Sequence, residues 1–105
     1  MNRSISVQPQ VSQDIDQVYR YFAETDRDRA MVFFDAVRQT FADLARMPGI
    51  GKIYDSGEDD LNDLHCWFVK GFKTYLILYR FDDEVVTIVR VIDGRRDIPA
   101  ILDDL

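Results

Sequence analysis

The sequence predicts an α+β fold: a helical hairpin packed on a small, mainly antiparallel β-sheet, with a short C-terminal helix. Three observations carry this expectation. Apolar residues recur at helical spacing in two stretches of the first half, separated by a short polar break. The last third holds three runs of β-formers divided by turn residues, and one alternating run precedes the first helical stretch. The order is therefore β-α-α-β-β-β followed by a short helix, and residues 1–105 are expected to form one domain.

Residues 3–8 alternate, with Ile5 and Val7 on one side, which reads as a short strand ended by Pro9. Val11, Ile15, Val18 and Phe22 then recur at spacings of four, three and four, and Tyr19 widens the stripe. Asp14, Asp16, Gln17 and Arg20 lie off that stripe, with Ser12 as N-cap and Asp14 in the first turn, where the helix dipole favours an acid. The polar segment 24–28 is a tight connection, in which Thr25 or Asp26 caps the next helix. That helix carries Ala30, Phe33, Phe34, Val37, Phe41 and Leu44 and is stopped by Pro48-Gly49. Two amphipathic helices joined this closely must run antiparallel and need a cover for their shared apolar face. Residues 49–63, with Tyr54 and the acidic run Glu58-Asp59-Asp60, read as the one long loop. Leu64–Val69, Thr74–Phe81 and Val85–Ile92 are strands of an antiparallel meander, broken at Gly71 and at Asp82-Asp83-Glu84. After Asp93-Gly94, Asp97 caps a short helix with Pro99 in its first turn and Ile98, Ile101 and Leu102 on its apolar side.

With 47 % hydrophobic residues the chain is too apolar to be disordered, and a net charge of −6 argues against broad nucleic-acid binding, which rests on Lys and Arg neutralising phosphates. The second half nevertheless carries Lys70, Lys73, Arg80, Arg90, Arg95 and Arg96, so a basic face within an acidic whole is expected. One cysteine and one histidine make neither a disulfide nor a metal site, and no cofactor is expected. There is no apolar run of signal-peptide or membrane-spanning length, so the expected location is the cytoplasm, with no membrane partner.

Several strings in this order resemble the RelE/ParE toxins, and specifically the ParE or plasmid-stabilisation branch. Asp14-Ile15 with Tyr21-Phe22 is similar to that family's first helix, and Ala30 through Pro48-Gly49 to its second. Leu64 through Lys70-Gly71-Phe72, then Tyr75 to Arg80, then Val89 through Gly94-Arg95-Arg96-Asp97 are similar to its sheet and tail. The resemblance implies a toxin of a type II toxin–antitoxin system, held inactive by a small ParD-like antitoxin whose tail wraps the hairpin and sheet. ParE relatives poison DNA gyrase by binding and have no catalytic site of their own, whereas RelE relatives cut messenger RNA in the ribosomal A site. A detoxified binding module of the same fold is a further alternative. Direct sequence-specific DNA binding by this chain is not expected. Two departures stand out: Asp93 where many relatives carry His, and His65 where they often carry Arg.

The chemistry of the residues favours binding. RNA cleavage needs an acid or base together with cations for the phosphorane. Arg80, Arg90 and Arg96 supply cations, but Arg is a poor base, and the tail Asp97–Leu105 lacks the Tyr of RelE-type enzymes. No catalytic residue is assigned. The candidates for target or antitoxin contact are Arg95, Arg96, Asp97, Lys70, Lys73, His65, Arg80 and Arg90. For the tail, two readings stand side by side. Either two guanidiniums are presented to a partner, or Arg96 pairs with an acid to anchor the short helix while Asp97 is its cap. Lys70 and Lys73 either extend that patch or mark a solvated hairpin end. His65 reads better as a strand residue paired with a neighbouring acid than as a base, and Cys66 better as an inert apolar residue than as a nucleophile. Most aromatic positions read as core; any left exposed would receive the antitoxin.

Overall fold

A computed structural model describes residues 2–54 and 63–102. The acidic run Glu58–Asp60, the Asp103-Asp104 pair and the side chain of Leu102 lie outside the described residues. Among the described residues the elements are β1 (Ser4–Val7), α1 (Pro9–Ala23), α2 (Arg27–Arg46), a 3₁₀ turn (Pro48–Ile50), β2 (Lys52–Ile53), β3 (His65–Val69), β4 (Phe72–Phe81), β5 (Val85–Asp93) and α3 (Ile98–Leu102). The five strands form one sheet in the order β1-β5-β4-β3-β2. The meander β3-β4-β5 is antiparallel as expected, and β1 lies parallel to β5 at one edge.

Pro9 does not merely end β1; it opens α1 at its first helical position, where the missing N–H would have no partner anyway. Gln8 stands at the N-cap without a side-chain bond, so Ser12 is inside the helix and Asp14 is past the first turn. Asp26 rather than Thr25 caps α2, accepting the Arg29 N–H at 3.1 Å. The expected long loop contains the 3₁₀ turn and β2. Both are set by Tyr79, whose buried hydroxyl donates to the Pro48 carbonyl at 2.6 Å and accepts the Gly51 N–H at 3.0 Å. A Cβ at position 51 would strike that hydroxyl, so the close approach requires glycine. Gly71, at φ 80°, makes the two-residue turn between β3 and β4 in a conformation that side chains resist.

The hairpin packs on one face of the sheet. Phe33, Val37 and Leu44 of α2 and Val11 of α1 meet Ile77, Tyr79, Ile88 and Val91, and all are buried. Fully burying a side chain such as Phe33 contributes about 1.5–3 kcal/mol. Phe22, Phe33, Phe72 and Tyr75 form an aromatic cluster with centroids 5.2–5.8 Å apart. The Arg29 guanidinium lies over the Phe22 and Phe72 rings. The opposite face is covered as well. Leu64, Leu78, Val89 and Ile92 form a second core under Tyr54, Ile98 and Ile101, so α3 closes the back of the sheet. Strands buried on both faces explain why β4 and β5 read as near-continuous apolar runs.

Candidate functional site

The eight candidate residues separate into three places. Arg95, Arg96, Asp97, Lys70 and Lys73 stand at one end of the sheet, because Tyr75 is opposite Asp93 and the Gly94 N–H donates to the Thr74 carbonyl at 2.7 Å. His65 and Arg80 stand toward the other end, where His65 faces Tyr79 across the ladder. Arg90 lies mid-sheet, opposite Leu78.

At the tail, Gly94 is pressed against β4. A Cβ there would sit 3.0 Å from Leu76 Cδ1 and 3.2 Å from the Thr74 oxygen. The turn that follows is tied to Asp93. Its carboxylate accepts the Arg95 N–H at 2.9 Å, Arg95 Nη2 at 2.7 Å and Arg95 Nε at 3.0 Å, and its carbonyl accepts the Arg96 N–H at 3.0 Å. The side-chain bonds from Arg95 hold the Asp93 carboxyl below the usual carboxylate range, against the opposing effect of desolvation. The two arginines are therefore not equivalent. Arg95 is 71 % exposed but clasped by Asp93, while the exposed Arg96 guanidinium has no side-chain partner among the described residues. The reading in which Arg96 pairs with an acid is replaced by one in which Arg95 does. Asp97 caps α3 as expected, accepting the Ala100 N–H at 3.3 Å.

Beside this turn, a groove of about 230 Å³ runs between α1 and the end of β5. Val18 and Tyr21 line one side, Tyr75 and Ile92 the other, and Arg95 and Arg96 reach its rim. Its floor contains Asp14, which is expected off the apolar stripe of its helix but is turned inward. Asp14 is buried, and accepts Arg90 Nη2 and Nε at 2.8 Å each and the Val91 N–H at 3.1 Å. The signal was present: Asp14 stands three residues after Val11 and four before Val18, so it borders the apolar stripe. The pair locks α1 onto β5 and removes Arg90 from the exposed candidates.

The lysines are solvent-facing, as a hairpin end would be. Lys70 is fixed by its backbone, whose N–H donates to Thr40 Oγ1 at 3.0 Å, while that buried hydroxyl donates to the Ala36 carbonyl at 2.7 Å. At the far end, Arg80 Nε donates to Asp63 Oδ1 at 2.9 Å. His65 Nδ1 lies 3.0 Å from the Asp63 carbonyl oxygen, which can only accept, so Nδ1 carries the proton. The imidazole partner is thus a backbone carbonyl rather than the expected acid side chain, and the ring packs on Tyr79 and Phe81. Burial pushes the Cys66 thiol up, which disfavours the nucleophilic thiolate.

One aromatic expected in the core is outside it. Phe34 is half exposed, because Phe33 and Val37 already fill the core-facing line of α2 and Phe34 points about 100° away from Phe33. It meets Tyr19 edge-on at 6.4 Å, and with Met31 the two rings line a shallow apolar depression on the hairpin, bordered by Asp16 and Asp35.

The fold and sequence have known counterparts. Residues 5–98 match the family model of the ParE toxin of type II toxin–antitoxin systems, parDE. Toxin ParE3 of Caulobacter vibrioides is 31 % identical over 102 residues, covering 95 % of this chain and 94 % of the relative. A solved structure described as the chromosomal ParDE toxin–antitoxin system from P. aeruginosa superposes with a TM-score of 0.68 at 12 % identity, covering 85 % of this chain and 92 % of the other, a likeness of fold.

Proposed function

This chain belongs to the ParE toxin family of type II toxin–antitoxin systems, and from that premise we propose that it arrests growth by binding DNA gyrase, under the control of a small ParD-like antitoxin, rather than by cutting RNA. The observation that carries this reading is how the cationic candidates are engaged. Arg90 is bonded to Asp14 in mid-sheet, while Arg80 and His65 both bond Asp63 toward one end of the sheet, the first through its carboxylate and the second through its backbone carbonyl. Phosphoryl chemistry on RNA needs a base and cations converging on one phosphate. Arg90 is held apart by Asp14, and the Arg80 and His65 side chains are engaged by Asp63, whereas the exposed Arg96 at the tail suits contact with a partner. In this reading the cytoplasm is the place of action, the tail end of the sheet meets gyrase, and the Tyr19–Met31–Phe34 depression receives part of the antitoxin, since exposed apolar patches favour partner binding.

The test is gyrase supercoiling with the purified chain. Stoichiometric chain is expected to inhibit supercoiling and accumulate cleaved DNA, Arg96→Ala is expected to weaken this at least several-fold, and added antitoxin to abolish it. Unchanged supercoiling at stoichiometric excess would remove gyrase as the target. Cleavage of messenger RNA in the A site of translating ribosomes would replace binding with nuclease action.

A further inference from the structure

The groove between α1 and the end of β5 has a charge balance that specifies its occupant. Three guanidiniums, Arg90, Arg95 and Arg96, stand in or beside it with two carboxylates, Asp14 and Asp93. Both carboxylates are engaged by arginine in paired bonds: Asp14 by Arg90 at 2.8 Å and 2.8 Å, and Asp93 by Arg95 at 2.7 Å and 3.0 Å. Arg96 on the rim is left without a side-chain partner among the described residues, while the adjoining Asp97 is turned to its cap bond with the Ala100 N–H. The walls below the rim are aromatic and aliphatic, from Tyr21, Tyr75, Val18 and Ile92, and the volume is that of one or two side chains. Tyr21 is 62 % exposed, so an aromatic surface is already presented to an incoming group.

We propose that this groove is a docking pocket for an acidic peptide segment, taking one Asp or Glu carboxylate on Arg96 and the adjacent apolar side chain against Tyr21 and Tyr75. The inference rests on the reading of the tail as a partner-binding surface and names the chemistry of the partner segment. A guanidinium and a carboxylate form a two-pronged, charge-assisted pair. A nucleic-acid strand is the poorer fit, because phosphate-backbone binding draws on several uncompensated cations, and the groove's own lining holds two carboxylates, Asp14 and Asp93, with Arg96 as its one guanidinium lacking a side-chain partner among the described residues. The buried Asp14–Arg90 pair contributes by holding α1 at the distance from β5 that keeps the groove open. Asp93 contributes by removing Arg95 from competition, which leaves a site for one charge rather than two.

The pocket is tested on the isolated chain with two capped dipeptides, N-acetyl-Phe-Glu-amide and N-acetyl-Phe-Gln-amide, followed by amide and arginine Nε NMR signals. The acidic dipeptide is expected to shift Val18, Tyr21, Tyr75, Ile92 and Arg96 Nε at concentrations at least fivefold lower than its amide analogue. Arg96→Gln, an exposed change that leaves the fold intact, is expected to abolish this preference, and Arg95→Gln to preserve it. Equal response to the two dipeptides, or shifts confined to another surface, would overturn the proposal. So would an eight-residue oligothymidylate that shifts the same signals at lower concentration than the acidic dipeptide. The supercoiling assay reads the gyrase question separately. A chain that binds the acidic dipeptide but spares gyrase keeps the pocket and loses the target. One that blocks gyrase while ignoring the dipeptide keeps the target and loses the pocket.

Discussion

Two aspartate–arginine pairs in this molecule use the same functional groups to opposite ends. Asp14 and Arg90 are 76 residues apart in sequence, and meet in a buried, two-bonded pair that also captures the Val91 N–H. Asp93 and Arg95 are two residues apart and meet at the surface, where the arginine is 71 % exposed. Inside, both charges have left water, so each is held by the other and neither is free to engage a partner. Outside, water screens the pair and weakens the hold of each member on the other. The first pair fixes where α1 lies; the second sets how much charge the tail offers.

The largest effect is expected from breaking the inner pair. Asp14→Asn removes the buried carboxylate that holds Arg90 by two bonds, which costs about 3–5 kcal/mol. In a domain of this size that lowers the melting temperature by roughly 15–25 °C, measured by calorimetry. The double change Asp14→Leu with Arg90→Met removes both charges and is expected to recover more than half of the loss, as apolar replacement of buried pairs does. A double variant as unstable as the single one would show that the pair is valued for its hydrogen bonds rather than for charge compensation.

The inner pair also marks where sequence reading stops. The hairpin and the meander were legible because their signals are local: a 3.6-residue repeat in Val11–Phe22 and Ala30–Leu44, and β-formers between Gly71, Asp82 and Gly94. The exposed candidates Arg95, Arg96 and Asp97 were legible for the same reason, as a turn followed by a cap. Asp14 was misassigned although its spacing placed it beside Val11 and Val18, because a carboxylate bordering an apolar stripe is explained only by a cation arriving from β5. The parallel pairing of β1 with β5, and β2 within a glycine-rich stretch, likewise depend on contacts distant in sequence. Phe34 was misread because two adjacent aromatics cannot both face the core, and only packing decides between them.

A neutral polar bridge gives an intermediate step in the comparison. Thr40 Oγ1 joins the Ala36 carbonyl to the Lys70 N–H inside the molecule. Thr40→Val keeps the shape and leaves the Lys70 N–H unpaired, at a cost of about 1–3 kcal/mol, seen as a lower urea midpoint with an unchanged slope. A loss as large as that of Asp14→Asn would mean that burial rather than charge sets the cost at the inner sites.

The outer pair is expected to be visible as a titration. Arg95 holds the Asp93 carboxyl below its ordinary value of 3.8. Because the folded value is depressed, the contribution to stability is present above the unfolded value and is lost as pH falls through the folded one, a window below about 4. Carboxyl carbon NMR is expected to give a midpoint below 3.8 for Asp93, moving up toward 3.8 in Arg95→Ala. An unmoved midpoint would assign the depression to the Arg95 N–H, which also donates to that carboxylate at 2.9 Å.

The smallest effect is expected from Arg95→Ala on stability. An exposed pair between residues two apart gains little Coulomb energy in water and loses side-chain freedom, so its removal is expected to change stability less than either interior substitution. The loss should shrink further in 0.5 M salt, where screening already weakens the pair. The variant leaves Asp93 unpaired beside Arg96, whose guanidinium is then its nearest available cation. In the acidic-dipeptide titration, Arg95→Ala is therefore expected to bind more weakly than Arg95→Gln, whose side chain still donates to Asp93. This is the step at which the tail's charge balance is read directly. A stability loss matching that of Thr40→Val would make the outer pair a structural tie like the inner one, and the contrast between the two would fail.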